Sequence, residues 1–497
     1  MSAHLSSAPQ VPGPLVMVDI PGTTLDADTA AFLRQHGVRA VCLFRKNLGS
    51  EAEIRALVLA LREVMGPQAL IAMDQEGGAV VRATCLPQGP SGMALGAVDD
   101  TGLAQAVGAA TARGLKSLGI NWNFAPVLDV NSNPANPVIG ERAFGDTPER
   151  VARLAGAWMQ GALAEGVACC VKHFPGHGDT HQDSHHALPT VDKSLAELQA
   201  LELQPFAALI DAPAVMTAHI VYPQIDPELP ATLSRRFLTD LLRTQMGYRG
   251  VVITDALMMQ AVHRRWGPAR AAVLALAAGA DMVLAQGTRE EQQAVLQAIQ
   301  QAQATGELQP AALQASAARL DALARAYPST PGPYTARGAD ETLVHSAWAA
   351  ALTALGGAQP PGRQQPLRVL TQASVASDGV SEAGVDAEAL RALFAPFADV
   401  RFDTVPSLLH GPWPAADGRF TVLVSNHRSR YAPGEAPRPP ADLHLALWNP
   451  YQALDIAAPS LLSWGYAPGA LAAVATWLRG DAVAPGRLPI HLSGVAV

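Results

Sequence analysis

The sequence predicts an α/β fold, a (β/α)₈ TIM-type barrel followed by a smaller α/β sandwich domain. Short apolar runs typical of buried strands alternate with helical patterns along the first three fifths of the chain. Polar residues follow several of these strands, and barrel enzymes build their sites at that end of the strands. Alternating units could also form a doubly wound open sheet, but no GxGxxG motif follows the first strand.

The barrel elements are predicted in strict alternation. Asp26 is a plausible N-cap of the first helix. The predicted strands are 15–20, 38–44, 69–74, 121–130, 167–174, 214–220, 250–255 and 281–285. The predicted helices are 26–36, 50–64, 103–118, 150–165, 195–209, 234–245 and 269–278, and the helical pattern after Gly287 supplies the eighth.

Two Pro- and Gly-rich stretches, 327–334 and 356–366, predict a domain boundary. We therefore divide the chain into a barrel with trailing helices (1–326), a linker with a strap helix (327–366, helix 341–355) and a sandwich domain (367–497). The sandwich elements are strands 367–370, 400–404, 419–425, 443–448 and 460–464 with helices 386–397 and 468–478. The sandwich shows no acid/base constellation, which favours a structural or oligomer-forming role.

Composition excludes several classes of protein. The chain has 497 residues, 49% of them hydrophobic and 16% charged, with a formal net charge of -8. It offers no basic field for phosphate backbones, so nucleic acid is not an expected partner. No apolar stretch is long enough to span a membrane and the N-terminus lacks a secretory signal pattern, so a cytoplasmic location is expected. The four cysteines are predicted to be buried thiols, without a disulfide framework or a metal clip.

Titratable residues concentrate in the segment 170–189, CVKHFPGHGDTHQDSHHALP. Such a cluster is a candidate site. Spacing of four residues would put four of its histidines on one helical face as metal ligands. Pro175, Gly176 and Gly178 argue against a helix there, although a loop could still gather two or three of the histidines around zinc. The cluster comprises His173, His177, Asp179, His181, Asp183, His185 and His186.

A strand followed by a polar, glycine-bearing loop explains this segment better. Asp183 and His185 are separated only by Ser184, so a local bend would let the carboxylate orient and charge the imidazole. That pair would be a proton-transfer dyad. A single histidine could equally be a structural hydrogen-bonding residue, and the residues alone do not identify a substrate.

The string KHFPGHGDT, followed by DSH and then LP, resembles the signature of family 3 glycoside hydrolases, in their β-N-acetylglucosaminidase (β-N-acetylhexosaminidase) branch and two-domain form. The resemblance implies that the loop after the fifth barrel strand supplies an Asp-His dyad as general acid/base. Residue by residue, the dyad falls on Asp183 and His185. The sugar-binding Lys-His pair of the family falls on Lys172 and His173.

Asp255 ends the apolar strand GVVIT. On pattern alone it could be a nucleophile or an N-cap of the next helix. The motif TDALMM resembles the one that carries the family's nucleophile, which implies that Asp255 is the nucleophile.

The resemblance also implies sugar-binding residues. Asp74 in DQEGG, Arg82 eight residues later and Arg142 in GERAFG match the family's binding positions. His219 in MTAHI ends the sixth strand and is a further candidate for the pocket. Glu76 we interpret as a helix or loop cap. Each arginine could also be a surface ion pair, so the binding assignment depends on the joint match.

The implied activity is a retaining exo-β-N-acetylglucosaminidase that needs neither metal nor cofactor and releases N-acetylglucosamine from small or peptidoglycan-derived glycosides. One alternative is a phosphorylase, because neutral imidazole would not repel phosphate as acceptor. Others are an inactive sugar-binding protein on this scaffold, a barrel metallohydrolase and a broader β-glucosidase. The ending, with WNPY and GDAVAPGRLPI, resembles the family's C-terminal domain but is shorter than expected.

Overall fold

The computed structural model describes residues 12–181, 188–410, 412–431 and 438–492. These residues form two compact units, each built from three segments of the chain. The first unit lies within Met1–Asp74, Ala112–Pro126 and Ala162–Thr335. The second lies within Gln75–Thr111, Val127–Gly161 and Ala336–Val497.

The first unit contains a closed barrel of eight parallel strands, which confirms the predicted fold class. In chain order the strands of this part are β1 (Val16–Val18), β2 (Ala40–Cys42), β3 (Leu70–Met73), β4 (Gln75–Gly77), β5 (Val80–Val81), β6 (Trp122–Asn123), β7 (Ala168–Phe174), β8 (Ala214–Thr217), β9 (Val251–Ala256) and β10 (Met282–Ala285). Around the barrel they follow the order β1-β10-β9-β8-β7-β6-β3-β2. The strands β4 and β5 form a separate antiparallel hairpin in the second unit.

Helices connect the strands in the expected alternation. They are α1 (Ala27–His36), α2 (Glu51–Met65), α3 (Gly92–Val98), α4 (Thr101–Leu118), α5 (Pro148–Ala164), α6 (Leu195–Ala200), α7 (Leu203–Ala208), a π-helical segment (Arg236–Gln245), α8 (Gln260–Ala278), α9 (Arg289–Ala304) and α10 (Pro310–Ala326). The Asp26 side chain accepts a hydrogen bond from the Thr29 N–H, as expected of an N-cap.

Prolines explain two departures from the predicted elements. The fourth barrel strand ends at Asn123 instead of continuing to residue 130, since Pro126 has no N–H for a ladder hydrogen bond. The helix predicted over 195–209 is two short helices, because Pro205 cannot donate to the carbonyl of Leu201. The α8 helix starts at Gln260, nine residues before the predicted start, with a break at Gly267, whose φ is 68°.

A fully buried carboxylate, Asp281, lies just before β10. It accepts hydrogen bonds from Arg243, from Ser316 (2.8 Å) and from Arg319 Nη2 (2.7 Å). Its Oδ2 also accepts from the Val252 N–H at the start of β9 (2.8 Å). Since residues at the amino ends of barrel strands usually serve stability, we assign this cluster to the fold rather than to chemistry.

The second unit is built on a six-stranded sheet in the order β11-β16-β15-β14-β12-β13. All neighbouring pairs are parallel except β11 with β16. The elements are α11 (Arg337–Ala351), β11 (Thr353–Leu355), β12 (Leu367–Gln372), α12 (Ala387–Phe394), β13 (Val400–Val405), β14 (Phe420–Ser425), β15 (Leu443–Ala446), β16 (Ser460–Leu462) and α13 (Pro468–Leu478). The strap helix predicted over 341–355 therefore starts earlier, at Arg337, and ends at Ala351. The last three residues of the predicted range, 353–355, instead form the edge strand β11, which pairs with β16.

The loops that follow barrel strands β3 and β6 belong to the second unit, where they share one apolar core with the C-terminal region. Met93 and Ile139 from these loops pack in the same cluster as Trp348 and Trp464. The Ser91 hydroxyl donates to the Trp464 carbonyl (2.8 Å). Burial of two tryptophans among loop residues fixes the loops by the same hydrophobic effect that stabilises the sheet.

Three of the four cysteines, Cys42, Cys169 and Cys170, are buried thiols as predicted, whereas Cys85 is partly exposed. Among the described residues, no helix combines the length and the apolar character needed to cross a membrane.

Acid should weaken the second unit through His444. Burial lowers the pKa of His444 to about 3 from 6.5, while its ring nitrogens bond Ser425 (2.9 Å) and Ser460 (3.1 Å). The unfolded chain takes up this proton first, so stability present above pH 6.5 is lost as the pH falls toward 3. We expect this residue to cost about 2 kcal/mol of unfolding free energy between pH 7 and pH 5.

Urea denaturation at pH 7, 6 and 5 checks this expectation. The variant His444→Gln, which cannot take up the proton, should lose less stability than the wild type over the same range. Parallel pH profiles for the two proteins would contradict it.

Candidate active site

Five of the predicted site residues lie in the first unit, at or just after the carboxyl ends of barrel strands. Asp255 is the second-to-last residue of β9, and Lys172 and His173 directly precede Phe174, the last residue of β7. Asp74 directly follows β3, and His219 follows β8 by one residue beyond Ala218. Because the strands are parallel and form one closed barrel, these ends share one rim.

Lys172 and Asp74 form an ion pair at this rim. Lys172 Nζ donates to Asp74 Oδ1 at 2.6 Å, although the two residues are 98 positions apart in sequence. The lysine side chain is 2% exposed and the aspartate 17%. An ammonium withdrawn from water to this extent needs a fixed carboxylate, so the pair sets where both charges point.

The charges at this rim influence the pKa of the buried Cys170 thiol in β7. Burial raises its pKa well above the usual range, the Lys172 ammonium acts in the opposite direction, and the Asp74 and Asp255 carboxylates add to the rise. Asp255 and the Lys172–Asp74 pair therefore all influence the same buried thiol. Two carboxylates and one ammonium act together at this end of the barrel.

His219 is fully buried and connects β8 with the end of β9. Its Nε2 lies 3.0 Å from the carbonyl oxygen of Ala256, the residue after Asp255, and its Nδ1 lies 2.9 Å from the Thr232 hydroxyl. Because a carbonyl oxygen only accepts, Nε2 carries a hydrogen and donates it to Ala256. The predicted pocket residue is thus bonded to the backbone beside Asp255.

The loop after β7 begins in a well-anchored conformation. His177 is 2% exposed, and its Nδ1 lies 2.8 Å from the Thr180 hydroxyl. The Tyr222 hydroxyl donates to the Gly176 carbonyl (2.8 Å). His173 and His177 form an edge-to-face ring contact at 5.9 Å. The predicted dyad, Asp183 and His185, lies outside the described residues, as does His186.

Lys193 forms ion pairs across the base of this loop. Its ammonium contacts Asp179 (2.7 Å) and Glu202. Burial alone would lower the pKa of Lys193, but the hydrogen bonds to the two carboxylates outweigh it and the pKa is raised. Asp179 precedes the predicted dyad and Lys193 follows it, so this contact joins the two sides of the segment.

The histidines of this segment that the structure describes do not share a helix face. His173 is in a strand, whereas His177 and His181 lie in the irregular loop that follows. Within the described ranges, no group of three or more His, Cys, Asp or Glu side chains is arranged to hold a metal ion.

Arg142 lies in the second unit and forms a two-pronged ion pair with Glu76. Arg142 Nε donates to Glu76 Oε2 (2.9 Å) and Nη2 to Oε1 (2.8 Å), while Nη1 donates to the Val138 carbonyl (2.9 Å). Both side chains are nearly buried. The interpretation of Glu76 as a cap is therefore wrong: its two oxygens bind a guanidinium 66 residues away. No local sequence signal marks such a pair.

Arg82, also in the second unit, directly follows the β4–β5 hairpin, and hydrogen bonds to Gln75 hold its backbone in place. Gln75 Oε1 accepts from the N–H groups of Arg82 and Ala83, both at 3.0 Å. The Arg82 guanidinium donates from Nη1 to Glu382 Oε1 (2.9 Å). Glu382 belongs to the C-terminal region, where we predicted no acid/base constellation.

The family model for the N-terminal domain of glycosyl hydrolase family 3 matches residues 12–323, more than half of the chain. The chain belongs to glycosyl hydrolase family 3. It is a glycoside hydrolase, as its named relatives are.

Two curated relatives of this family 3 chain are beta-hexosaminidases. That of Pseudomonas aeruginosa is 40% identical over 296 residues, which are 58% of this chain and 87% of the relative. That of Chromobacterium violaceum is 42% identical over 293 residues, 57% of this chain and 82% of the relative. The matches therefore leave about two fifths of this chain without a counterpart in either relative.

Solved structures extend the similarity. A family 3 beta-N-acetylglucosaminidase from a Paenibacillus species is 32% identical with a TM-score of 0.86, covering 98% of this chain and 99% of that one. NagZ from Neisseria gonorrhoeae, solved with N-trifluoroacetyl-D-glucosamine, is also 32% identical, with a TM-score of 0.54, 64% coverage of this chain and 100% of its own. Of these two structures, the Paenibacillus enzyme is the one that covers almost the whole of this chain.

Proposed function

We propose that this chain is a retaining exo-β-N-acetylglucosaminidase. Its substrates would be terminal N-acetylglucosaminides of small or peptidoglycan-derived glycosides, hydrolysed through a covalent glycosyl-enzyme. The observation that carries the proposal is the position of Asp255 at the carboxyl end of β9, on the barrel rim that also holds the Lys172–Asp74 ion pair. Similarity to beta-hexosaminidases and to a beta-N-acetylglucosaminidase supports the choice of sugar.

In the first step, the Asp255 carboxylate attacks the anomeric carbon while an acid protonates the departing oxygen. The Ala256 N–H donates to Asp255 Oδ1 at 2.8 Å, which helps to fix the orientation of the carboxylate. From the resemblance, His185 is the acid and Asp183 orients it. Imidazole suits this role because it titrates near neutral pH and can return as a base.

In the second step, neutral His185 removes a proton from water, and the resulting nucleophile displaces Asp255 from the sugar with a second inversion. Two inversions give net retention of the anomeric configuration. His219, bonded to the Ala256 carbonyl, would keep the end of β9 in place during both steps.

The sugar-binding residues of the proposal are polar and charged groups able to hydrogen-bond sugar hydroxyls. Lys172 and Asp74 present a donor and an acceptor side by side, so they suit adjacent hydroxyls of one pyranose. The complete proposed set is Asp74, Arg82, Arg142, Lys172, His173 and His219.

Kinetics with 4-nitrophenyl N-acetyl-β-glucosaminide test the proposal. We expect turnover of this substrate with a kcat/KM at least about 100-fold above that for the matching β-glucoside, because a site built for the acetamido group loses its partners with glucose. The first-formed sugar, observed by NMR, should be the β-anomer.

The same assay separates the rivals. If N-acetylglucosamine 1-phosphate forms when phosphate is added, the enzyme is a phosphorylase and not a hydrolase. Binding of N-acetylglucosamine without turnover would indicate an inactive sugar-binding protein, and an initial α-anomer would rule out the double displacement.

A further inference from the structure

Glu382 forms two hydrogen bonds to the loop that carries Arg82 and a third to Tyr466 of the C-terminal region. Its carboxylate accepts from Arg82 Nη1 at 2.9 Å, and its N–H donates to the carbonyl of Ala79, at the turn of the β4–β5 hairpin (2.9 Å). Its own carbonyl accepts from the Tyr466 hydroxyl at 3.0 Å. The glutamate is thus held through its backbone on both sides, and its side chain is directed at one guanidinium.

The Arg82–Glu382 pair is shielded from water. The Arg82 side chain is 9% exposed and that of Glu382 is 22% exposed. A guanidinium carries five N–H groups in one plane, so a carboxylate bonded at Nη1 restricts the rotation of the plane and of its other donors. Ion pairs this sheltered restrict rotation far more than exposed pairs do.

In the second unit, Arg82 and Arg142 are each oriented by a glutamate. Arg142 is oriented by Glu76, from within the loops themselves, whereas Arg82 is oriented by a residue of the C-terminal region. Next to Arg142, the buried Glu141 accepts from the indole N–H of Trp448 at 2.8 Å, a second bond from the C-terminal region to these loops. Both loops therefore depend on that region for their geometry.

We propose that Glu382 is a positioning residue for sugar binding, which acts by fixing the guanidinium of Arg82. This inference rests on the proposed function only in assigning Arg82 to sugar binding. The C-terminal region then has a defined part in the reaction: it supplies the anion that orients a substrate-binding cation.

Glu382→Gln tests the proposal, since the amide keeps the size of the side chain and removes its charge. We expect KM for the aryl N-acetylglucosaminide and Kd for free N-acetylglucosamine, measured by calorimetry, to rise about 5- to 20-fold, with kcat changed less than about 2-fold. Glu382→Asp should recover part of the affinity. Glu388→Gln is the matched control, because Glu388 pairs with Arg391 at the exposed surface of the same unit.

A double-mutant cycle distinguishes positioning from general support of the fold. If Glu382 acts through Arg82, adding Glu382→Gln to Arg82→Lys should change Kd by less than about 2-fold. Equal effects in both backgrounds, or an unchanged Kd in Glu382→Gln, would overturn the proposal. Because Kd is read without turnover, the result stands even if the wild-type protein hydrolyses no N-acetylglucosaminide, which would refute the proposed function instead. A wild-type protein that binds no N-acetylglucosamine would overturn both.

Discussion

Replacing Asp255 by Ala should lower kcat for an aryl N-acetylglucosaminide by about 10⁴-fold or more, since no other group then forms the bond to the anomeric carbon. Asp255 is only partly buried, and the Ala256 N–H donates to its Oδ1. The fold should therefore tolerate the change. Steady-state kinetics together with circular dichroism check both parts of this expectation.

Two further measurements make the Asp255 test specific. Azide fits the space left by the carboxylate, so Asp255→Ala should regain activity in azide and yield the α-glycosyl azide, by a single inversion. Asp240→Ala, at an exposed ion pair with Arg235 in the same unit, serves as the control and should keep full activity. Near wild-type turnover by Asp255→Ala would remove Asp255 from its proposed role.

Replacing Asp281 by Ala should cost about 3 to 5 kcal/mol of unfolding free energy, the largest effect on stability that we expect from one substitution in this chain. The aspartate has no exposure, and its loss leaves Arg243, Arg319, the Ser316 hydroxyl and the Val252 N–H without their common acceptor. A buried donor that loses its partner keeps its desolvation cost, which is why the effect exceeds that of one hydrogen bond.

Equilibrium urea denaturation of the wild type and of Asp281→Ala measures this cost from the shift of the midpoint at constant m-value. Asp240→Ala removes an exposed aspartate of the same unit and should stay within about 0.5 kcal/mol of the wild type. A shift below about 1 kcal/mol in Asp281→Ala would show that the two arginines find other partners.

The barrel was predictable because its signal is local and repeated. Apolar runs such as 250–255 and 281–285 are short, and the helical patterns between them have the right length for crossovers. The barrel closes where β1 pairs with β10, with Val16 opposite Val283. The errors arose where one residue decides the outcome, as Pro126 does in ending a strand and Pro205 does in breaking a helix.

The site was predictable only in part. Residues at strand ends, such as Asp255 and Lys172, carry a positional signal in the sequence. Their partners do not, because Arg82 and Glu382 are 300 residues apart and Arg142 and Glu76 are 66 apart. Ion pairs that form only after the chain has folded leave no pattern in a single sequence, so the role of Glu76 was missed.

The winding of the chain between its two compact units limits how it can be divided. The chain changes unit after residues 74, 111, 126, 161 and 335, so no single peptide-bond cleavage releases either unit whole. A protease cut after residue 335 would leave the loop residues Met93 and Ile139 behind without the tryptophans that cover them. Gene fusions and deletion series that treat the C-terminal region as a detachable module would therefore uncover apolar surface in what remains.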